Sequence, residues 1–263
     1  MVFSMTPFDQ APVLIIGAGR TGTYFADWLE RQSLPYLQVD MKPLPVHPRR
    51  IGQAAVLGIG FDREVVVEYE ERLHRFHCQM IIAATGSRGL AVPFPGWTLP
   101  GVLLPSAVQQ ILRYPAPSLG ESVVLLTRQP QGPFVDTVKA HAQQTTVLCW
   151  DDLEWIEASG GTEVKRFSWR EKGQPPSQVQ TIDASTVIVD AGWTPAVDLF
   201  HASQFETAVD EQGRMHVRLN ERLETLSAPG VYVAGKAAGI DAAPEDCNYE
   251  PIFAALKGLF HGR

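Results

Sequence analysis

The stretch 13-VLIIGAGRTG-22 decides how the rest of the chain is read. Val13 to Ile16 form a short apolar run, the pattern of a buried strand. Gly17-Ala18-Gly19-Arg20-Thr21-Gly22 follows at once as GxGxxG. Thr23 to Gln32 predicts a helix with Phe25, Trp28 and Leu29 on one face. Each glycine has its own reason. Gly17 lets the strand turn sharply, Gly19 lets a pyrophosphate approach the backbone, and Gly22 lets the helix pack on the strand. The helix N-terminus then offers N–H groups and the positive end of its dipole to phosphates. A second apolar run, Tyr36 to Val39, ends in Asp40. An acid at the end of the second strand, about 20 residues past the loop, is placed to accept from ribose hydroxyls. GxGxxG alone is weak evidence, but strand, glycines, helix, strand and acid in this order is strong. A purely structural glycine turn explains less of the pattern.

Composition narrows the classes. The chain has 263 residues, 45% hydrophobic and 19% charged, an ordinary globular composition with room for one large domain or two smaller ones. A net charge of −7 leaves no electrostatic footprint for nucleic acid and argues against anionic membrane surfaces. No apolar run reaches the ~20 residues of a bilayer span. The N-terminal MVFSMTPFDQ lacks a basic segment and a long apolar one, so no signal peptide and a cytoplasmic location are expected. The three cysteines, Cys78, Cys149 and Cys247, form no CxxC, which argues against a dithiol centre or a cysteine-held metal. Cys78 and Cys149 read as small buried hydrophobes, and Cys247 as a bystander in a polar loop. His74 and His77 lack a third ligand at suitable spacing, so no metal site is expected.

The proline-rich segment MKPLPVHPRR after Asp40 predicts a loop. Its His47, Arg49 and Arg50 either meet phosphates or are solvated. Glu64–Glu71 and Arg72–Gln79 predict a hairpin, and Met80 to Ala84 a buried strand closed by Thr85-Gly86-Ser87. A second α/β unit opens at Ser122–Thr127, with Val135–His141 as its helix and Thr145–Trp150 as its next strand. Its turn, RQPQGPF, has only Gly132, and Pro130 and Pro133 remove backbone donors. Trp155–Trp169 and Gln178–Ile182 predict antiparallel strands, and Ser185–Asp190 a buried strand whose Asp190 suits a turn cap. Arg222 to Val233 runs into GVYVAG, then Gly235-Lys236. The acids between Asp241 and Asp246 read as a solvated loop. Tyr249–His261 predicts a helix with Ile252, Phe253, Leu256 and Phe260 on one stripe.

The strand into Ala84-Thr85-Gly86, then Pro93 to Val102 (PFPGWTLPGV), resembles the FAD-dependent pyridine nucleotide-disulfide oxidoreductases. In its phrasing it is similar to one subunit of hydrogen cyanide synthase, opine oxidase, sarcosine oxidase and dye-linked proline dehydrogenase complexes. The resemblance implies an α/β, FAD/NAD(P)-binding Rossmann-like fold with two dinucleotide-binding-type domains, the second inserted in the first. It places an FAD-type domain at 10–104 with 225–263 and a degenerate NAD(P)-type domain at 105–224. It assigns the pyrophosphate to Gly17, Gly19, Arg20, Thr21 and Gly22 and the adenosine ribose to Asp40. Thr85 and Gly86 would lie along the dinucleotide path, and Gly235 and Lys236 near the phosphates or ribityl chain. That family continues the late glycine with an aspartate. Lys236 has donors only and cannot accept from a ribityl hydroxyl, though it can pair with a phosphate.

The implied function is a FAD-binding oxidoreductase subunit acting with other flavoprotein subunits on a small amine, amino acid or opine. No catalytic acid or base stands out. The alternative is a non-catalytic subunit holding ADP or ATP. NAD(P) binding is not expected, because the second fingerprint is missing.

Overall fold

The computed structural model describes residues 11–211 and 213–261. The MVFSMTPFDQ stretch, and the question of a leader with it, lies outside the described residues. The first elements are β1 (Val13–Ile16), α1 (Arg20–Arg31), β2 (Leu37–Val39), β3 (Arg50–Ile51), β4 (Ala55–Ile59), β5 (Glu64–Tyr69), β6 (Arg72–His77) and β7 (Met80–Ala83). Then come β8 (Ser87–Gly89), β9 (Val102–Leu103), α2 (Pro105–Ile111), β10 (Ser122–Thr127), α3 (Pro133–Ala140), β11 (Gln144–Cys149), β12 (Leu153–Gly160), β13 (Val164–Glu171), β14 (Gln180–Asp183) and β15 (Thr186–Asp190). The chain finishes with β16 (Trp193–Pro195), α4 (Asp198–Ala202), β17 (Thr207–Val209), β18 (Met215–Val217), β19 (Val231–Val233) and α5 (Glu250–His261).

The described residues form two α/β units, the second inserted in the first. Arg88–Trp193 is one, and the chain up to Ser87 with the chain from Thr194 onward is the other. In the first unit a parallel sheet runs β19-β7-β1-β2-β3. Its central strands are buried along their whole length, as a parallel sheet covered on both faces requires. Side chains alternate between the faces with period two. Val13, Ile15 and Ile82 pack with Phe25 and Leu29 of α1 and with Ile252 and Leu256 of α5. Leu14, Ile16, Ile81 and Ala83 pack on the other face with Val65 and Val67 of the β4-β5-β6 sheet and with Phe200 and Val217. The second unit has its own parallel sheet, β11-β10-β15-β9, and an antiparallel sheet, β12-β13-β14.

The division at 87/88 and 193/194 lies upstream of the sequence-derived boundaries at 104/105 and 224/225. Phe94 packs in the second unit's core and β9 joins its sheet, so the proline-rich stretch already belongs there. Downstream, Phe200, Phe205 and Val217 pack in the first unit's core. The span Trp155–Trp169 is not one strand but the greater part of a hairpin, β12 and β13, turning at Gly161-Thr162-Glu163. Helix α1 starts at Arg20, inside the glycine motif.

His47 and Arg50 hold the 41–50 segment to α1. Arg50 Nη2 donates to Asp27 at 2.6 Å and to Glu30 at 2.9 Å, and His47 Nε2 lies 2.9 Å from the other Glu30 oxygen. Arg49 donates to the Leu34 carbonyl at 3.0 Å. Burial works to raise the Glu30 carboxyl, but donation by Tyr36 and Arg50 and the charges of His47 and Arg50 outweigh it and hold the pKa below its ordinary value. A depressed carboxylate stabilises the fold above its unfolded pKa, and that contribution fades as pH falls through the folded value. Arg50→Ala should therefore destabilise the protein by about 1 kcal/mol at neutral pH, since its carboxylate partners are partly exposed and screened by water. In thermal melts the deficit should shrink below about pH 4, where wild type loses the same interaction. A deficit constant with pH would show that Arg50 acts only through packing.

Candidate dinucleotide cleft

A cleft of about 210 Å³ opens in the first unit where β1, β7 and β19 end. This is the carboxyl edge of the parallel sheet, where open α/β sheets place ligands. Of the residues singled out in the sequence, Gly19, Arg20, Thr21, Gly86 and Lys236 line it. Ala84, which the resemblance set beside Thr85 and Gly86 on the dinucleotide path, lines it too, and Ser87, Ala234, Ala242 and Pro244 line it without having been foreseen. Ser87 follows the Thr85-Gly86 pair directly and was within reach of a closer reading. Ala242 and Pro244 come from a loop that local pattern does not place.

The glycines divide into two sets. A Cβ on Gly22 would strike the carbonyl of Gly17, and one on Gly17 would strike the carbonyl of Ala84. These two let β1, β7 and α1 meet at backbone distance. A Cβ on Gly19 or Gly86 would meet nothing within 4 Å, so these two border open space. Gly19 precedes helix α1 at its N-cap position, with no side-chain cap and no acidic residue in the first turn. The helix's leading N–H groups and positive dipole end are thus available to an anion.

Asp40 stands against the loop from the far side. One oxygen accepts from Ala18 N at 2.6 Å and the other from Lys42 N at 2.8 Å, so the carboxylate also fixes the turn. Gln38, fully buried, donates Nε2 to the Gly17 carbonyl at 3.0 Å, and its Oε1 has no partner. Gln38 supports the loop and was missed, although its place two residues before Asp40 on the same side of β2 points to it. Thr85 donates its hydroxyl to the Ala196 carbonyl at 2.9 Å and does not line the cleft.

Gly235 holds φ +65, and a Cβ there would strike Thr21 Oγ1. That backbone region and that contact both exclude a larger residue. Gly235 N donates to the Tyr249 hydroxyl at 2.9 Å. Tyr249 is buried. Burial foremost, then neighbouring Cys247, push its hydroxyl well above the ordinary phenol range, against the opposing pull of Gly235 and Thr21. Tyr249 thus fastens the turn after β19 to the start of α5.

The cations of the cleft are engaged. Lys236 Nζ lies 2.8 Å from Asp241 Oδ1, and Arg20 Nη2 lies 3.6 Å from Glu245 Oε1. The acids between Asp241 and Asp246 are therefore more than a solvated loop. The lining side chains offer hydroxyls and cations, and none is a carboxylate, imidazole or thiol. Cys78 is buried, and burial pushes its thiol up to about 12, which keeps it unreactive at neutral pH. Cys149 is only half-buried, less enclosed than its sequence suggests. Among the described residues no group of three or more His, Cys, Asp and Glu could hold a metal ion, and no helix is long and apolar enough to cross a membrane.

The equivalent turn of the second unit is built differently. Gly132 caps α3 at φ 124, Pro133 occupies its first position and Asp136 sits in its first turn. Thr127 Oγ1 donates to Asp190 at 3.0 Å, so Asp190 ties two strand ends together, and Arg128 lies 3.7 Å from Asp151.

Two Rossmann-like units, one inserted in the other in the chain, are the fold that this protein shares with solved FAD-dependent pyridine nucleotide-disulfide oxidoreductases. The chain is similar to the hydrogen cyanide synthase subunit HcnB of Pseudomonas aeruginosa, 28% identical over 239 residues, covering 73% of this chain and 50% of that subunit. The chain thus spans about half the length of the curated relatives it matches. The structure matches thioredoxin reductase of Lactococcus lactis with a TM-score of 0.72 at 13% identity, over 96% of this chain and 100% of that one. It matches L-proline dehydrogenase from P. horikoshii with a TM-score of 0.67 at 16% identity, over 93% of this chain and 58% of that one. No known family profile matches the chain.

The two sets of glycines should separate by substitution. Gly22→Ala should destabilise the protein by about 3 kcal/mol, since backbone must move. Gly19→Ala should cost within about 1 kcal/mol yet weaken ADP or FAD binding about tenfold or more. Melting curves and titration calorimetry on the two variants check this. Equal losses of stability would show that Gly19 is as structural as Gly22.

Proposed function

We propose that this chain is a FAD-binding oxidoreductase subunit, working in the cytoplasm with other flavoprotein subunits of a heteromeric amine, amino-acid or opine dehydrogenase or oxidase. One observation carries the reading. An uncapped helix N-terminus, two glycines open to solvent space and two cations converge on one cleft at the carboxyl edge of a parallel sheet. That donor set fits a pyrophosphate. The similarity to a protein named as a synthase subunit supports the assembly, and the fold shared with a proline dehydrogenase supports the substrate class.

In this reading Gly19 and the first N–H groups of α1 hold the pyrophosphate, with Gly17 and Gly22 shaping the loop. Arg20 and Lys236 neutralise its charge, and Thr21 and Gly235 fix the turn beneath. Each Asp40 oxygen keeps a second lone pair for a ribose hydroxyl. Thr85 and Gly86 border the path beyond. A bound flavin would supply hydride and electron transfer. The protein binds and orients it, and no lining side chain serves as acid or base. The second unit acts as scaffold: Pro133, Asp136 and Asp190 stand where a nicotinamide dinucleotide would need N–H groups and no negative charge.

A second reading has its own support. Lys236 stands where the resembling family has an acid, and the cleft, at about 210 Å³, is smaller than the ~300–1,000 Å³ of ordinary ligand pockets. These favour an ADP- or ATP-holding, non-catalytic subunit. The visible spectrum of the purified protein, followed by denaturation and identification of the released ligand, decides. We expect a yellow protein that releases FAD. A colourless protein releasing ADP or ATP overturns the flavin reading in favour of the second, and one that neither carries nor takes up any of the three overturns both.

A further inference from the structure

We propose that Asp241 and Glu245 are the cleft's resident counter-ions, holding Lys236 and Arg20 until a ligand diphosphate displaces them. The proposal rests on the reading of the cleft as a diphosphate site. Lys236 and Arg20 both line the cleft, and each carries a carboxylate from the same short loop, at 2.8 Å and 3.6 Å. Between those carboxylates, Ala242 and Pro244 form part of the cleft wall. The loop is fixed at several points. Ile240 N donates to the Gly235 carbonyl at 3.1 Å, Pro244 is buried, and Cys247 Sγ donates to the Ala243 carbonyl at 3.0 Å. The wall therefore stays in place, and the exchange needs only the Asp241 and Glu245 side chains to turn outward. Both are more than half exposed, as 53% and 64%, so water receives them readily and the pairs are weak ones.

The consequence is selectivity. A phosphate entering this cleft trades one anion for another instead of adding new ion pairs. Inorganic anions gain nothing from the trade and are refused. A nucleotide diphosphate also brings the helix N-terminus and the adenosine half into play, and so wins. The same exchange makes affinity nearly independent of salt, because as many ion pairs are broken as are formed.

The test compares wild type with the Asp241→Asn, Glu245→Gln double variant in titrations with ADP and with FAD, at about 20 mM and about 300 mM salt. The double variant should bind about tenfold more tightly than wild type at low salt, and lose that gain at high salt, while wild type changes little. Inorganic pyrophosphate should compete with ADP on the variant and not on wild type. Asp246→Asn, which removes an exposed charge from the same turn, should behave as wild type. Equal affinity and equal salt slope in wild type and double variant overturn the counter-ion role and leave the diphosphate site standing. A gain from Asp246→Asn matching that of the double variant overturns it too, in favour of a general field. If neither ligand binds either protein, the diphosphate reading itself falls.

Discussion

The fold turns on a backbone-to-backbone approach. Helix α1 meets the end of β1 so closely that Gly22 cannot carry a Cβ without striking the Gly17 carbonyl, nor Gly17 without striking that of Ala84. This packing fixes where α1 begins, and hence where its free N–H groups point. Gln38 and Asp40 brace the same turn from β2, one through the Gly17 carbonyl and the other through Ala18 N. Tyr249 does the corresponding task on the opposite side, holding the Gly235 turn through its N–H. The cleft is thus framed by hydrogen bonds to main-chain atoms from two sides. Main-chain N–H groups act as donors to a ligand most effectively when they are pre-aligned in this way.

The electrostatics of the chain are layered. The whole carries −7, which repels polyanions at long range, while the cleft concentrates two cations. Acids of the 241–246 loop pair with both. The second unit differs at its corresponding turn, where Pro133 opens α3, Asp136 sits in its first turn and Asp190 accepts from Thr127. The two turns therefore differ in charge and in backbone donors although both units are Rossmann-like.

Much of this was legible in the sequence because local rules govern it. The β1–α1–β2 segment announced itself through apolar runs and glycines, and the Ile252–Leu256 stripe through helical spacing. The domain boundaries were harder. Pro93 to Val102 falls before the sequence-derived boundary at 104/105, yet Phe94 and β9 are committed to the second unit's core and sheet. Strands of three residues such as β17 and β18 are too short to show a period. The cleft's far wall was invisible for a different reason. Arg20 meets Glu245 across 225 positions of chain, and nothing local marks either residue as the other's partner. Likewise the basic 41–50 loop left two readings open, and the acids of α1 decide between them.

The order of strands in the first sheet also constrains how the molecule is made. β19 lies beside β7, pairing Val231 with Ile81, with the whole second unit between them in the chain. The second unit is continuous, and its strand pairs, such as Ser122 with Gln144 and Val123 with Thr186, span less chain than Val231 with Ile81. Loop closure is entropically cheaper for near contacts than for distant ones. During synthesis the inserted unit can therefore form while the outer sheet still lacks its edge strand, and its folding draws the two halves of the outer unit toward each other. The insertion is then a folding aid for the unit that bears the cleft. A defect in its core would be felt as slow or incomplete assembly of a site to which it contributes no residue.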